Sequence, residues 1–243
     1  MFTLVGPGAD DAPRAMRALA LAVAERLDLT GHRGVHPRLG ALDVVPFVAL
    51  DRSAPTAAAS SARDFAEWVA GALALPVFLY GDVDPERRAL PDTRRDAFTR
   101  RAPDLGPATP HPTLGALAVG ARPVLVAVNC ELGTGDVALA RSIAHSIRER
   151  DGGLPGVRAL GFMLASRGRA QVSMNLIALE QTGLQQACET TRDLARRAGV
   201  DITRVELVGL LPAGELARCD REFLEWAAIV PDQTIEARLA RAR

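Results

Sequence analysis

His36 and Arg38 stand two residues apart around Pro37, in the stretch Val35-His36-Pro37-Arg38-Leu39-Gly40-Ala41-Leu42-Asp43-Val44-Val45-Pro46-Phe47. An imidazole exchanges a proton near neutrality, whereas a guanidinium stays charged and grips a carboxylate through two parallel hydrogen bonds. Pro37 holds its own φ at about −65° and pushes His36 toward extended backbone, so the ring sits on chain of reduced freedom. Gly40 supplies a turn before a strand begins. The pair suits proton transfer on an anionic substrate. An ordinary loop histidine is the competing reading, and the residues alone leave the two balanced. His32 and His111 read as supporting residues, and His145 lies in a helical stretch with no partner in register.

Two further stretches carry polar groups at meaningful spacing. In Arg167-Gly168-Arg169-Ala170-Gln171-Val172-Ser173-Met174-Asn175, the side chains of Gln171, Ser173 and Asn175 alternate along an expected strand and so share one sheet face. That face is either simply solvated or lines a cleft that holds a heterocycle and its polar tail. Gly115-Ala116-Leu117-Ala118-Val119-Gly120-Ala121-Arg122 has the glycine spacing of a phosphate-binding loop but lacks its Lys and Ser/Thr. It reads as a loop whose glycines let the backbone turn, or else as a close approach to a flat ligand with Arg122 facing an anion.

Composition narrows the chemistry. The 243 residues carry 29 acidic and 29 basic side chains, so no net field draws in nucleic acid or anionic lipid. Every basic residue is Arg, which excludes a Schiff-base lysine, a pyridoxal-phosphate anchor and a P-loop lysine. Cys130, Cys188 and Cys219 are far apart in sequence and form no CxxC or His-Cys group, so neither a metal site nor a disulfide framework is expected. With no signal-like segment and no apolar run of about 18 residues, the chain reads as a cytoplasmic protein without membrane contact.

The elements that must position these groups fall into two halves. The second runs as strand (from Pro123 through Val124-Leu125-Val126-Ala127-Val128-Asn129), helix (Asp136 to Arg150, with Asp136 as N-cap), and a hairpin of Val157 to Ala165 and Ala170 to Ile177. A helix from Gly183 to Ala198 and a strand from Arg204 to Leu210 complete it. The order βαββαβ is that of a ferredoxin-like antiparallel sheet with both helices on one face. The first half reads as strand (Phe2 to Val5), helix (Asp11 to Leu27), strand (Leu42 to Val48), helix (Ala62 to Leu73) and strand (Val77 to Tyr80), an incomplete version of that plan. The Pro- and Gly-rich stretch Asp104 to Gly115 suggests a connector, so the division is expected as residues 1–103 and 104–243.

Taken together these segments resemble the formiminotransferase domain of the folate-dependent glutamate formiminotransferases. The resemblance rests on Gly31 to Phe47, Pro76 to Gly81, Asp104 to Pro107, Gly115 to Arg122, Ala170 to Leu176 and Glu206 to Pro212, in the family's order. It implies an α+β fold of two ferredoxin-like subdomains facing across a groove, the N-terminal one incomplete. It further implies transfer of a formimino group from N-formimino-L-glutamate to tetrahydrofolate, a step of histidine catabolism and one-carbon metabolism. By the same resemblance His36 is the catalytic acid/base. The folate-binding segment is Gly106, Pro107, Ala108, Thr109, Pro110, His111, Pro112, Thr113, Leu114 and Gly115. Arg38, Arg122 and Arg169 are the candidates for substrate carboxylates, with Gln171, Ser173 and Asn175 as further substrate contacts.

No metal is implied, tetrahydrofolate is a co-substrate, and the partners are small molecules, with a homodimer allowed and nucleic acid and membrane disfavoured. Val35 stands where the family often has Glu. The family's opening strand, ending in a Pro-Asn-x-Ser-Glu-Gly type motif, the helix after it and a second strand bearing an acidic residue near the active site have no counterpart here, so the chain is expected to be short at its N-terminus; no cyclodeaminase domain is read after the terminal helix. Formyl transfer on the same folate scaffold and a non-catalytic folate or amino-acid binding module are the alternatives.

Overall fold

The computed structural model describes residues 2–5, 10–32, 37–50 and 55–241. They form two compact units, 4–124 and 125–243, with residues 2 and 3 grouped with the second. The division falls later than the expected 103/104, and the cause is the last strand of the first unit.

That unit contains α1 (Asp11–Arg26), β1 (Asp43–Phe47), α2 (Pro55–Leu73), β2 (Val77–Gly81), α3 (Leu90–Asp96) and β3 (Leu117–Ala121). Its sheet has the order β1-β3-β2, so the strand furthest along the chain is the central one. All five residues of β3 are buried. Leu117 to Ala121, expected as part of a glycine-rich loop, is therefore the core strand of this unit, because small and apolar side chains suit a strand enclosed on both faces. A cut at Asp104 would remove it. The three strands run parallel, where the ferredoxin-like plan alternates, since a helix between successive strands returns the chain to the same end of the sheet. Residues 2–5, expected as a strand, are not in one; a four-residue apolar run does not itself specify a partner edge.

The outer edge of β2 is closed by residues 101–105. Val77 donates its N–H to the Leu105 carbonyl at 2.9 Å, and Asp104 donates to the Val77 carbonyl at 2.8 Å. Asp104 Oδ2 accepts the Leu79 N–H at 2.7 Å, while Arg101 Nη2 donates to the Leu79 carbonyl at 2.8 Å. Strand-edge groups that would otherwise be unpaired are thus satisfied by one ion pair and two backbone contacts.

The second unit contains β4 (Val126–Leu132), α4 (Val137–Ile147), β5 (Val157–Leu164), β6 (Arg169–Leu176), α5 (Leu184–Arg197) and β7 (Ile202–Val208), followed by α6 (Ala213–Leu216), α7 (Arg221–Ala227) and α8 (Ile235–Arg241). The sheet order β5-β6-β4-β7, antiparallel throughout, is the arrangement the βαββαβ order predicts. Asp136 caps α4, accepting from the N–H groups of Ala138 at 2.8 Å and Leu139 at 3.1 Å. Val126, Val128, Cys130 and Leu132 of β4 and Ala170, Val172, Met174 and Leu176 of β6 join the helices in one core. Burial alternates along β4, and Ala127, Asn129 and Glu131 lie on its other face.

The cysteines, distant in sequence, are gathered in this core, Cys130 and Cys188 buried and Cys219 packed against them, and none of the three is in a disulfide. Burial and the neighbouring Glu215 charge push the half-buried Cys219 thiol up to about 11. Since only the thiolate is nucleophilic, iodoacetamide at pH 8 is expected to label Cys219 on the order of 100-fold more slowly than free cysteine. Labelling followed by mass spectrometry measures this. No helix among the described residues is long and apolar enough to cross a membrane.

Candidate functional site

His36, the expected acid/base, lies outside the described residues, which resume at Pro37. From there the turn into β1 is held from several sides. Arg38 is exposed, and its Nη2 donates to the His32 carbonyl at 3.1 Å. The Asp43 carboxylate accepts the Leu39 N–H at 2.7 Å and pairs with Arg94. Asp43 has φ +54°, a left-handed conformation that Asp tolerates better than most residues. The turn is therefore tied to α3, a link the sequence did not signal because Arg94 is 51 positions away.

The expected folate segment meets this same turn. Gly40 and Gly115 form an antiparallel bridge, in which Ala41 donates to the Leu114 carbonyl and Ala116 to the Leu39 carbonyl, each at 2.9 Å. Only glycine fits at either position: a Cβ on Gly40 would lie 2.1 Å from the Ala116 oxygen, and one on Gly115, which has φ +71°, 2.4 Å from the Leu39 oxygen. His111 organises the turn from within, its Nδ1 accepting the N–H groups of Thr113 at 3.3 Å and Leu114 at 3.2 Å. With Nδ1 as acceptor, a neutral ring carries its hydrogen on Nε2. Residues 106–110 are exposed between this turn and Leu105, which is pinned to β2. Arg122 comes directly after β3, with its N–H on the Phe47 carbonyl at 3.2 Å and Nη1 on the Pro123 carbonyl at 2.9 Å. The segments around Arg38 and Gly106 to Gly115, distant in sequence, are thus neighbours in one unit.

The remaining candidates belong to the second unit. Arg169, Gln171, Ser173 and Asn175 alternate with the buried residues of β6, so they share the sheet face away from α4 and α5. Register places Ser173 opposite Asn129, which is also opposite Glu206, and places Gln171 opposite Glu131, itself opposite Arg204. Ser173 Oγ donates to Asn129 Oδ1 at 2.7 Å, and Asn129 Nδ2 donates to Glu206 Oε2 at 3.1 Å. Arg204 lies 3.3 Å from Glu206, and Arg167 lies 2.9 Å from Glu131. Asn129, Glu131, Arg167, Arg204 and Glu206 line a half-open cavity of about 310 Å³ together with Leu164, Ser166 and Gln171. Of the four expected residues of β6, Gln171 reaches it, while Ser173 touches the lining residue Asn129 by a hydrogen bond; Arg169 and Asn175 are not in its lining. Sequence reading missed Asn129, Glu131, Arg204 and Glu206 as site residues. Their signal was present as alternation in Val128-Asn129-Cys130-Glu131 and Arg204-Val205-Glu206.

The pattern of both halves is shared with known proteins. Residues 1–122 match the family described as "Formiminotransferase domain, N-terminal subdomain", and residues 127–239 match "Formiminotransferase domain". A glutamate formimidoyltransferase of Streptococcus pyogenes is 38% identical over 236 residues, 93% of this chain and 79% of that protein. One from Thermoplasma acidophilum is 34% identical over 234 residues, 91% of this chain and 77% of its own length. The formimidoyltransferase-cyclodeaminase of Sus scrofa is 34% identical over 246 residues, 92% of this chain but 45% of the longer protein. With both of its compact units matched in order, the chain belongs to the formiminotransferase domain family.

Proposed function

We propose that this protein transfers a formimidoyl group from N-formimidoyl-L-glutamate to tetrahydrofolate, releasing glutamate and 5-formiminotetrahydrofolate. The observation that carries this reading is the 38% identity, across both units, to a glutamate formimidoyltransferase. Nitrogen N5 of the folate attacks the amidine carbon and loses a proton; the bond from that carbon to the glutamate nitrogen then breaks, and the nitrogen gains one. One acid/base group serves both transfers, the role assigned to His36. Arg38, Arg122 and Arg169 are the candidates to hold substrate carboxylates. The ordered segment Gly106 to Gly115 forms the folate contact, and Gln171, Ser173 and Asn175 provide polar contacts from β6. Small molecules are its reaction partners.

Formyl transfer on the same scaffold is separated by a direct assay. With tetrahydrofolate as acceptor, the purified protein is expected to turn over N-formimidoyl-L-glutamate at least about 100-fold faster than N-formyl-L-glutamate, because the protonated amidine carbon is more electrophilic and its transition state is the one being stabilised. The reverse preference would reassign the reaction; binding of folate without turnover of either donor would favour a binding module.

A further inference from the structure

The cavity on the open sheet face of the second unit has a charge pattern that the reaction alone does not explain. Two arginines and two carboxylates line it, with amide side chains from Asn129 and Gln171. Each arginine is already paired, Arg204 with Glu206 and Arg167 with Glu131. Such a surface is poorly suited to a purely anionic ligand, which would meet repulsion from a carboxylate beside every guanidinium. It suits a ligand bearing both signs, because each ion pair can open and both partners can be satisfied again without leaving a charge alone.

We propose that Glu206 receives the protonated amidine of the formimidoyl donor, with Arg204 and Arg167 released to take the donor's carboxylates; this rests on the reaction proposed above. An amidine is a strong base that is cationic at neutral pH, and its planar N–C–N group presents N–H donors side by side, matching a carboxylate. Glu206 is the better placed of the two acids. Its side chain is 42% exposed and its arginine partner is 3.3 Å away, whereas Glu131 is 13% exposed and held by Arg167 at 2.9 Å. Glu206 is also oriented: Asn129 Nδ2 bonds one carboxylate oxygen, and Ser173 Oγ fixes the amide by donating to its oxygen. Asn129 and Ser173 are positioning residues for that carboxylate, which keeps lone pairs free for the ligand. A formamide has the same shape as the amidine but no charge, so the pairing separates the two donors before any chemistry occurs.

The test compares N-formimidoyl-L-glutamate with N-formyl-L-glutamate by titration calorimetry on the full chain, alongside kcat and KM for the formimidoyl donor. Wild-type protein is expected to bind the formimidoyl compound about 10-fold or more tightly than the formyl compound. Glu206→Gln should raise KM for the formimidoyl donor about 10- to 100-fold and shift formyl binding by less than about 3-fold, so that the preference disappears. Glu206→Ala should show the same loss, Glu206→Asp should restore a preference, and Glu131→Gln should retain it. A folded Glu206→Gln or Glu206→Ala protein that keeps the preference overturns the assignment of the amidine to Glu206 while leaving the reaction intact. Wild-type protein that neither binds nor turns over the formimidoyl donor overturns the reaction itself.

Discussion

His36→Ala is expected to lower turnover about 10²- to 10⁴-fold while leaving the affinity for tetrahydrofolate and for the formimidoyl donor within a few-fold of wild type. The magnitude comes from the proton inventory. N5 of the folate must shed a proton as its bond to the amidine carbon forms, and the departing glutamate nitrogen must gain one, since it leaves poorly as an anion. Without a positioned base both transfers fall to water. Arg38, one residue beyond Pro37, contributes charge but cannot exchange protons near neutrality, so it does not substitute. Single-turnover rates at saturating concentrations of both substrates, with circular dichroism to verify folding, measure the effect. Near-normal turnover in folded His36→Ala protein would remove the histidine from the chemistry and leave the motif a structural turn.

Gly40→Ala should have the largest effect on stability, a loss of about 3 kcal/mol or more and a fall in melting temperature on the order of 10 °C. The added methyl group would sit 2.1 Å from the Ala116 oxygen and 2.4 Å from the Leu114 oxygen. Both are backbone atoms, so no rotamer change relieves the contact. The bridge must open, with loss of the hydrogen bonds from Ala41 to Leu114 and from Ala116 to Leu39. Because Ala116 leads directly into the central strand β3, the damage reaches the core of the first unit. Gly31→Ala is the control: a Cβ there meets nothing within 4 Å, and its melting temperature should stay close to wild type. If Gly40→Ala melts like Gly31→Ala, the bridge is not what holds this turn. Activity of any folded Gly40→Ala protein should also fall, since the His36 to Arg38 stretch leads into the same turn.

Local pattern was sufficient for much of this molecule. The second unit was legible because its hydrophobic periodicity switches cleanly between strand and helix, its turns carry glycine, and Asp136 announces α4; a βαββαβ order then leaves few ways to pair the strands. The chemical character of the His36 to Arg38 stretch was equally local, being a matter of residue type and proline stereochemistry. Long-range assembly was not. Leu117 to Ala121 looked like a loop because glycine and alanine are weak strand formers, yet enclosure on both faces makes small residues the ones that fit, and this moved the boundary between the units. The gathering of Cys130 and Cys188 in one core, the tie from Asp43 to Arg94, and the clasp of Gly40 on Gly115 all join residues far apart in the chain. Likewise, Asn129 and Glu206 become one hydrogen-bonded pair only through the antiparallel register of β4 and β7. The sequence by itself determined which residues can do chemistry and which local elements carry them. Only the tertiary structure decided which of them meet, because strand order and register are chosen by burial summed over the whole core rather than by any short segment.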